Sequence, residues 1–480
     1  MRESFMKLRL GRILCTAIAS CVLLTQPCMN VLAEESAEEV SEEKDDELTE
    51  EERALEAEKK AAYEMPADTN SLTNWPAGPN IQATAGCVID MESGAFLYSK
   101  NMDEKFYPAS ITKLLTVLVA LENAELTDTV TVSEDSLSFL EYGDAYIGMK
   151  PGEEISMEDA LYAILLASAN EVSYAVAETV GTNNLGGDYS TFIEKMNERA
   201  KELGCTSSSW INPNGLHNEE HYTTAHDMAL IAAEVYKHEE FRIIMEEYEH
   251  RIGFTNLTQE ERVFQQNHRM LWDGNQYYWE LATGGKTGYT DQARTTLVTM
   301  AEDGNLKLAC VVLKDYGPVA YDDTRAMIEY VFQNFKKVPL AEQELSDQID
   351  SLVDEGAYVL LPEGVDFAEV ECEIKEEENG DSKNGSAIFT YEGQVVGIAS
   401  VMLSDTFFEV DEAVVGDPLS EQESKDSVSK TTVIIEKIFV GIMLIVGITA
   451  VIVVIIFICN YSILKAGKKR RKEHKRRKRN

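Results

Sequence analysis

The sequence predicts an α/β (α+β) protein: a sheet flanked by helices, followed by a small β-rich domain and one C-terminal transmembrane helix. Three observations carry this. Strand-like runs stand at both ends of residues 75–338 and apolar residues recur at helical intervals between them. After Pro339 the pattern changes to short alternating runs such as "AEVECEIK" and "SAIFTYEGQVVGIASVML". Residues 438–459 hold 22 positions without a charge, which at about 1.5 Å per residue reach roughly 33 Å, enough for a bilayer's apolar core.

Taken in order, residues 1–33 combine Arg2, Lys7, Arg9 and Arg12 with a short apolar stretch and a small residue at Ala33, the pattern of a cleavable secretory signal. Residues 34–74 read as an acidic disordered tether, since 34–60 carry fourteen acids and four bases, with at most fleeting helix around "EERALEAEKKAA". Within 75–338, "TAGCVIDMESGAFLYSKN" gives two strands about Ser93-Gly94, and "RTTLVTMAEDGNLKLACVVLKD" two more about Asp303-Gly304. Helical periods cover 110–123, 157–180, 190–203, 224–237 and 319–335. One sheet built from both ends of the domain is the expected frame. Residues 339–410 form the β-rich domain, 411–437 a polar linker, 438–459 the span and 460–480 a basic tail.

The tail holds eleven Lys or Arg against one Glu from Lys465 onward, so it is expected to stay cytoplasmic and touch anionic lipid, leaving the rest outside on a single span. Residues 1–33 at +3 and 460–480 at +10 leave the stretch between them at −54, against −41 for the whole chain. That excess of negative charge argues against nucleic acid as a partner. Cys87, Cys205, Cys310 and Cys372 are widely spaced with no CxxC, which indicates neither a zinc site nor a disulfide scaffold; buried thiols are expected, and whether two of them pair is left open.

Three short patterns could do chemistry. Ser110-Ile-Thr-Lys113 places an amine one helical turn after a hydroxyl, on the same face. A serine needs a base to become a nucleophile, and a lysine held against Leu114, Leu115, Val117 and Leu118 is pushed towards its neutral form. Ser-x-x-Lys alone says little: it also begins at Ser4, Ser41, Ser427 and Ser462. Ser168-Ala-Asn170 lies between two apolar helical segments, and Lys286-Thr287-Gly288 enters a strand. Only these three occur in this order inside the globular region.

The order Ser-x-x-Lys, Ser-x-Asn, Lys-Thr-Gly resembles that of the penicillin-recognising serine enzymes (β-lactamase-like fold), specifically the low-molecular-mass D-alanyl-D-alanine carboxypeptidases. "YPASITKLLT", "LLASANEVSYAVAE", "FIEKMNERAKELGCTSSSWINPNGL", "HYTTAHDMALIA" and "KTGYTDQARTTLV" are similar to that family's segments in sequence order. The resemblance implies that Ser110 attacks the penultimate D-alanine carbonyl of a peptidoglycan stem peptide, Lys113 takes its proton and Ser168 relays one to the leaving amine. It implies that Asn170 holds the substrate amide, that Lys286 and Thr287 meet the terminal carboxylate, and that Gly288 lets the strand approach. The backbone N–H groups of Ser110 and Tyr289 would form the oxyanion hole. It further implies no cofactor, no metal, and β-lactam antibiotics as covalent inhibitors.

Competing readings have their own discriminators. His217-Asn-Glu-Glu220-His221 matches an inverted zinc-peptidase pattern, but it follows the helix-breaking "NPNGLH" and is expected in a loop. A β-lactamase of the glutamate-assisted kind would need a Glu-x-x-Asn arrangement, and none stands near Glu202. A non-catalytic penicillin sensor or wall-binding protein would release no D-alanine.

Overall fold

The computed structural model describes residues 49–376 and 383–408. The expected signal, the linker 411–437, the span 438–459 and the basic tail lie outside the described residues; among the described ones no helix is long and apolar enough to cross a membrane. Among the described residues, 49–346 and those within Ser351–Met402 form one compact unit. Asp347–Asp350 and residues 403–408 form a second, in which Ser404 Oγ donates to Asp347 O at 2.7 Å.

The acidic stretch before residue 75 is not all tether. Helix α1 (Glu50–Glu64) starts at a Thr49–Glu52 capping box with three acids in its first turn, where the helix dipole favours them. Lys100, wholly buried, then fixes its far end: Nζ donates to Ala62 O at 2.7 Å and to Ile81 O at 2.8 Å. Lys314 pairs with Glu58 on the same helix. Composition showed the charge but not these acceptors, and docking overrides the disorder that the composition favours.

Strands β1 (Ala85–Asp90) and β2 (Phe96–Lys100) form the first hairpin, closed by Gly94 at φ 71°. Strands β3 (Ala282–Thr290), β4 (Arg294–Glu302) and β5 (Lys307–Asp315) form the other half, with Gly304 at φ 86° between the last two. Among the described residues they make one antiparallel sheet in the order β2-β1-β5-β4-β3, so the two ends of the domain do share a sheet. Its central strands are buried along nearly their whole length because helices cover both faces.

Helix α2 (Lys113–Asn123) is buried from Lys113 to Ala120, as expected of a helix whose every face is apolar. Around it pack α3 (Met157–Leu165), α4 (Asn170–Asn183), α5 (Tyr189–Glu202) and α6 (Ala225–Val235). The single period expected over 157–180 is broken: residues 166–169 leave the helix, and Ser168 turns the chain at φ 62°. Helix α7 (Glu239–Glu246) and a short strand pair, Glu249–Ile252 with Arg262–Gln265, were not anticipated. Helix α8 (Val319–Asn334) closes the domain against β5.

It runs directly into β6 (Phe335–Pro339), paired with β7 (Tyr358–Pro362), so the boundary expected at 338/339 falls inside a strand. Strands β8 (Glu371–Glu376), β9 (Asn384–Tyr391) and β10 (Gln394–Leu403) follow as antiparallel neighbours, β9 alternating buried and half-buried residues. Tyr358 seats this region on the first hairpin, its hydroxyl donating to Asp90 Oδ2 at 2.8 Å. Cys87, Cys205 and Cys310 are buried free thiols, whereas Cys372 is exposed, contrary to the expectation of burial.

Candidate functional site

The site begins with a strained turn. Pro108 leads into a 3-10 turn, Ala109–Thr112, in which Ala109 sits at φ 52°, a conformation that L residues adopt only under local constraint. The constraint comes from the "NPNG" segment behind it. Gly215, at φ 81°, lies so close that a Cβ there would stand 1.9 Å from Ala109 O. Thr112 Oγ1 donates back to Ala109 O at 2.8 Å. The turn therefore presents Ser110 to solvent while Lys113, one turn on, is wholly buried.

Lys113 Nζ lies 3.0 Å from Ser110 Oγ, 2.7 Å from Asn170 Oδ1 and 2.6 Å from the carbonyl oxygen of Asn214. A neutral amine has two N–H donors and one lone pair. Asn170 Oδ1 and Asn214 O are pure acceptors, so they take the two hydrogens and leave the lone pair facing the serine hydroxyl. Burial drives the amine well below its ordinary range, and the positive charge of Lys286 adds to that; Glu171 and Asp144 oppose it.

Strand β3 forms the opposite wall. Thr296 Oγ1 on β4 donates to Pro108 O at 2.7 Å and ties the sheet to the serine turn. A Cβ at Gly288 would stand 2.9 Å from Ser110 N and 2.4 Å from Thr296 Oγ1, so only glycine lets strand and turn meet. Lys286 is buried, donates to Thr287 O at 2.9 Å and is brought down by burial to about 7. Behind it His268, also buried and held near 4 by burial, contacts Thr299 Oγ1 at 3.0 Å.

A cleft of about 1110 Å³ opens between the two walls, lined by Ser110, Ser168, Asn170, Thr287, Gly288 and Tyr289. Lys113 and Lys286 stand behind its surface, both 1% exposed or less. All eight residues singled out in the sequence thus gather at one place. The His217–His221 segment is a loop, as its helix breakers imply. His221 Nδ1 accepts from Ile211 N at 3.1 Å, which leaves Nε2–H to donate to Thr112 Oγ1 at 2.9 Å. Both ring nitrogens support the serine turn, and burial holds the ring neutral, near 3. No group of three His, Cys, Asp or Glu among the described residues could hold a metal.

Sequence reading missed Asn214, whose contribution is a backbone carbonyl and leaves no side-chain signature. It also missed Thr296, the cleft-lining Arg269 and the supporting role of His221, although the "NPNG" turn signal points at the neighbourhood of Asn214.

A serine hydroxyl on a buried amine, beside a second lysine under a sheet edge in an α+β frame, defines the class of penicillin-recognising serine enzymes. Within that class, the sequence profile described as D-alanyl-D-alanine carboxypeptidase matches residues 72–317, and the chain belongs to this family. It is 30% identical over 319 residues to the D-alanyl-D-alanine carboxypeptidase DacF of Bacillus subtilis (strain 168), covering 62% of this chain and 77% of that one. With DacA of Haemophilus influenzae it shares 28% over 346 residues, 66% of this chain and 80% of the relative. Among solved structures, the Streptomyces K15 DD-transpeptidase aligns at 25% identity with a TM-score of 0.49, over 54% of this chain and all of the other.

Proposed function

We propose that this serine-type carboxypeptidase removes the terminal D-alanine from peptidoglycan stem pentapeptides through an acyl-enzyme on Ser110, and that penicillins acylate the same hydroxyl. The observation that supports it best is the 3.0 Å approach of Lys113 Nζ to Ser110 Oγ, with Asn170 Oδ1 and Asn214 O as acceptors for the amine at 2.7 and 2.6 Å. Ser110 Oγ forms a bond to the penultimate D-alanine carbonyl carbon as its proton passes to Lys113. The resulting oxyanion lies against the N–H groups of Ser110 and Tyr289. Collapse breaks the C–N bond; the proton held by Lys113 reaches the departing amine through Ser168, and D-alanine leaves. Water then hydrolyses the ester. Asn170 holds the peptide amide, and Lys286 with Thr287 receives the terminal carboxylate. Incubating residues 34–430 with a muropeptide mixture should convert pentapeptides to tetrapeptides by mass spectrometry; unchanged pentapeptides would overturn the reading.

A pH dependence follows from the two lysines. Lys113 must be neutral, and its lowered value places that condition well below ordinary lysine pH. Lys286 must be charged, a condition lost as pH rises through about 7 in the empty site. The kcat/KM profile, which reports the free enzyme, should therefore fall above about pH 7. The fall in kcat should lie at higher pH, because a bound carboxylate holds the Lys286 proton. Lys286→Arg, which cannot lose its charge here, should remove the alkaline limb of kcat/KM.

The same reading places the catalytic region outside the cell on one membrane span. It is supported by the signal-like residues 1–33, the uncharged stretch 438–459 and the basic tail with its affinity for anionic lipid.

A further inference from the structure

Part of the cleft lining is made by Phe139, Glu141, Tyr142, Gly143, Asp144 and Ala145, in a stretch with no helix or strand between residues 139 and 153. Such a segment keeps its shape only through individual bonds. On its outer side Arg262 donates to Gly148 O at 3.1 Å and pairs with Glu153. On its inner side two bonds reach the first turn of α4. Asn170 N donates to Ala145 O at 2.9 Å, and Glu171, with no exposed surface, accepts from Ile147 N at 2.8 Å.

We infer that Glu171 is a positioning residue, hanging the 139–149 wall of the cleft on the helical turn whose preceding residue, Asn170, holds Lys113. Its carboxylate stands in for a missing backbone partner: the Ile147 N–H of an irregular loop is taken by a side chain. Because Asn170 Oδ1 accepts from Lys113 Nζ and Asn170 N from the same side binds the wall, base and wall share one short rigid element. An acid in a helix's first turn also stabilises the helix through its dipole, and that simpler role needs the charge, not the acceptor geometry. The two are separable, since glutamine keeps an acceptor for Ile147 N and loses the charge.

The inference rests on the Ser110 reading. The full-length protein is assayed for its acylation rate constant with a fluorescent penicillin and for KM and kcat on a D-Ala-D-Ala peptide. Glu171→Ala should slow acylation by roughly tenfold, the scale of one buried hydrogen bond, and raise KM for the peptide more than it lowers kcat. Glu171→Gln should restore most of the rate. Ile147→Pro, which removes the donor on the loop together with a side chain that packs against the core, should reproduce the alanine result even if Glu171→Ala folds poorly, whereas Ile147→Ala, which keeps the N–H, should stay near wild type. Wild-type rates in Ile147→Pro, or a glutamine variant as slow as alanine, would overturn the inference alone. Absence of label on the wild type, or label that survives Ser110→Ala, would instead defeat the Ser110 reading.

Discussion

Replacing Lys113 by methionine should leave a folded protein that neither takes up penicillin nor releases D-alanine. The thioether fills nearly the same buried space as the lysine stem but has no lone pair basic enough to receive the Ser110 proton. Loss of a positioned base costs about 10²–10⁴-fold in rate, and here the same group activates the nucleophile, so the upper end is expected for kcat/KM. Stability should change little because two effects oppose. Methionine removes the penalty of an amine in a site that disfavours charge, the penalty that pushes Lys113 down. It also strips a donor from Asn170 Oδ1 and Asn214 O, at roughly 1–3 kcal/mol for a buried group left unpaired. Urea unfolding beside a D-alanine release assay separates the two readouts. A collapse of stability with proportionate loss of activity would mean that Lys113 is a packing residue.

Gly288→Ala should be nearly as damaging, although it adds one carbon. The backbone there needs no left-handed conformation, so the cost comes from contact alone. The new Cβ would meet Thr296 Oγ1 at 2.4 Å, Ser110 N at 2.9 Å and Pro108 O at 3.1 Å. Thr296 and Pro108 are the pair that ties the sheet to the serine turn. Relief requires β3 to move away from Ser110 and so spreads the two N–H groups meant for the oxyanion. Misplacing one such donor costs about 2.7–4 kcal/mol, roughly 10²–10³-fold in kcat. Gly253→Ala is the control: nothing lies within 4 Å of its Cβ, and it should keep wild-type kcat/KM. Equal activity in the two variants would contradict the close approach of strand and nucleophile.

The sheet and most helices were legible because their signals are local. Ser93-Gly94 and Asp303-Gly304 announce hairpins, and the apolar run after Lys113 announces a core helix. The site was legible because its chemistry resides in side chains whose spacing survives in one dimension. What escaped depends on backbone groups and long-range docking. Asn214 acts through its carbonyl, and the left-handed turn at Ser168, φ 62°, leaves no mark in the sequence beyond a break between two apolar segments. Lys100 reads as a solvent-facing strand residue until α1 supplies its carbonyl partner. Residues 50–64 look like a charged tether because their anchors, Lys100 and Lys314, stand far off in sequence.

The oxygen that carries the acyl group identifies the nucleophile. The protein, trapped with penicillin and digested, should show the antibiotic's added mass on the single peptide containing Ser110, and no added mass anywhere in Ser110→Ala. An adduct on Ser168, on a lysine, or retained in the alanine variant would contradict the assignment of Ser110 and Lys113 as nucleophile and base.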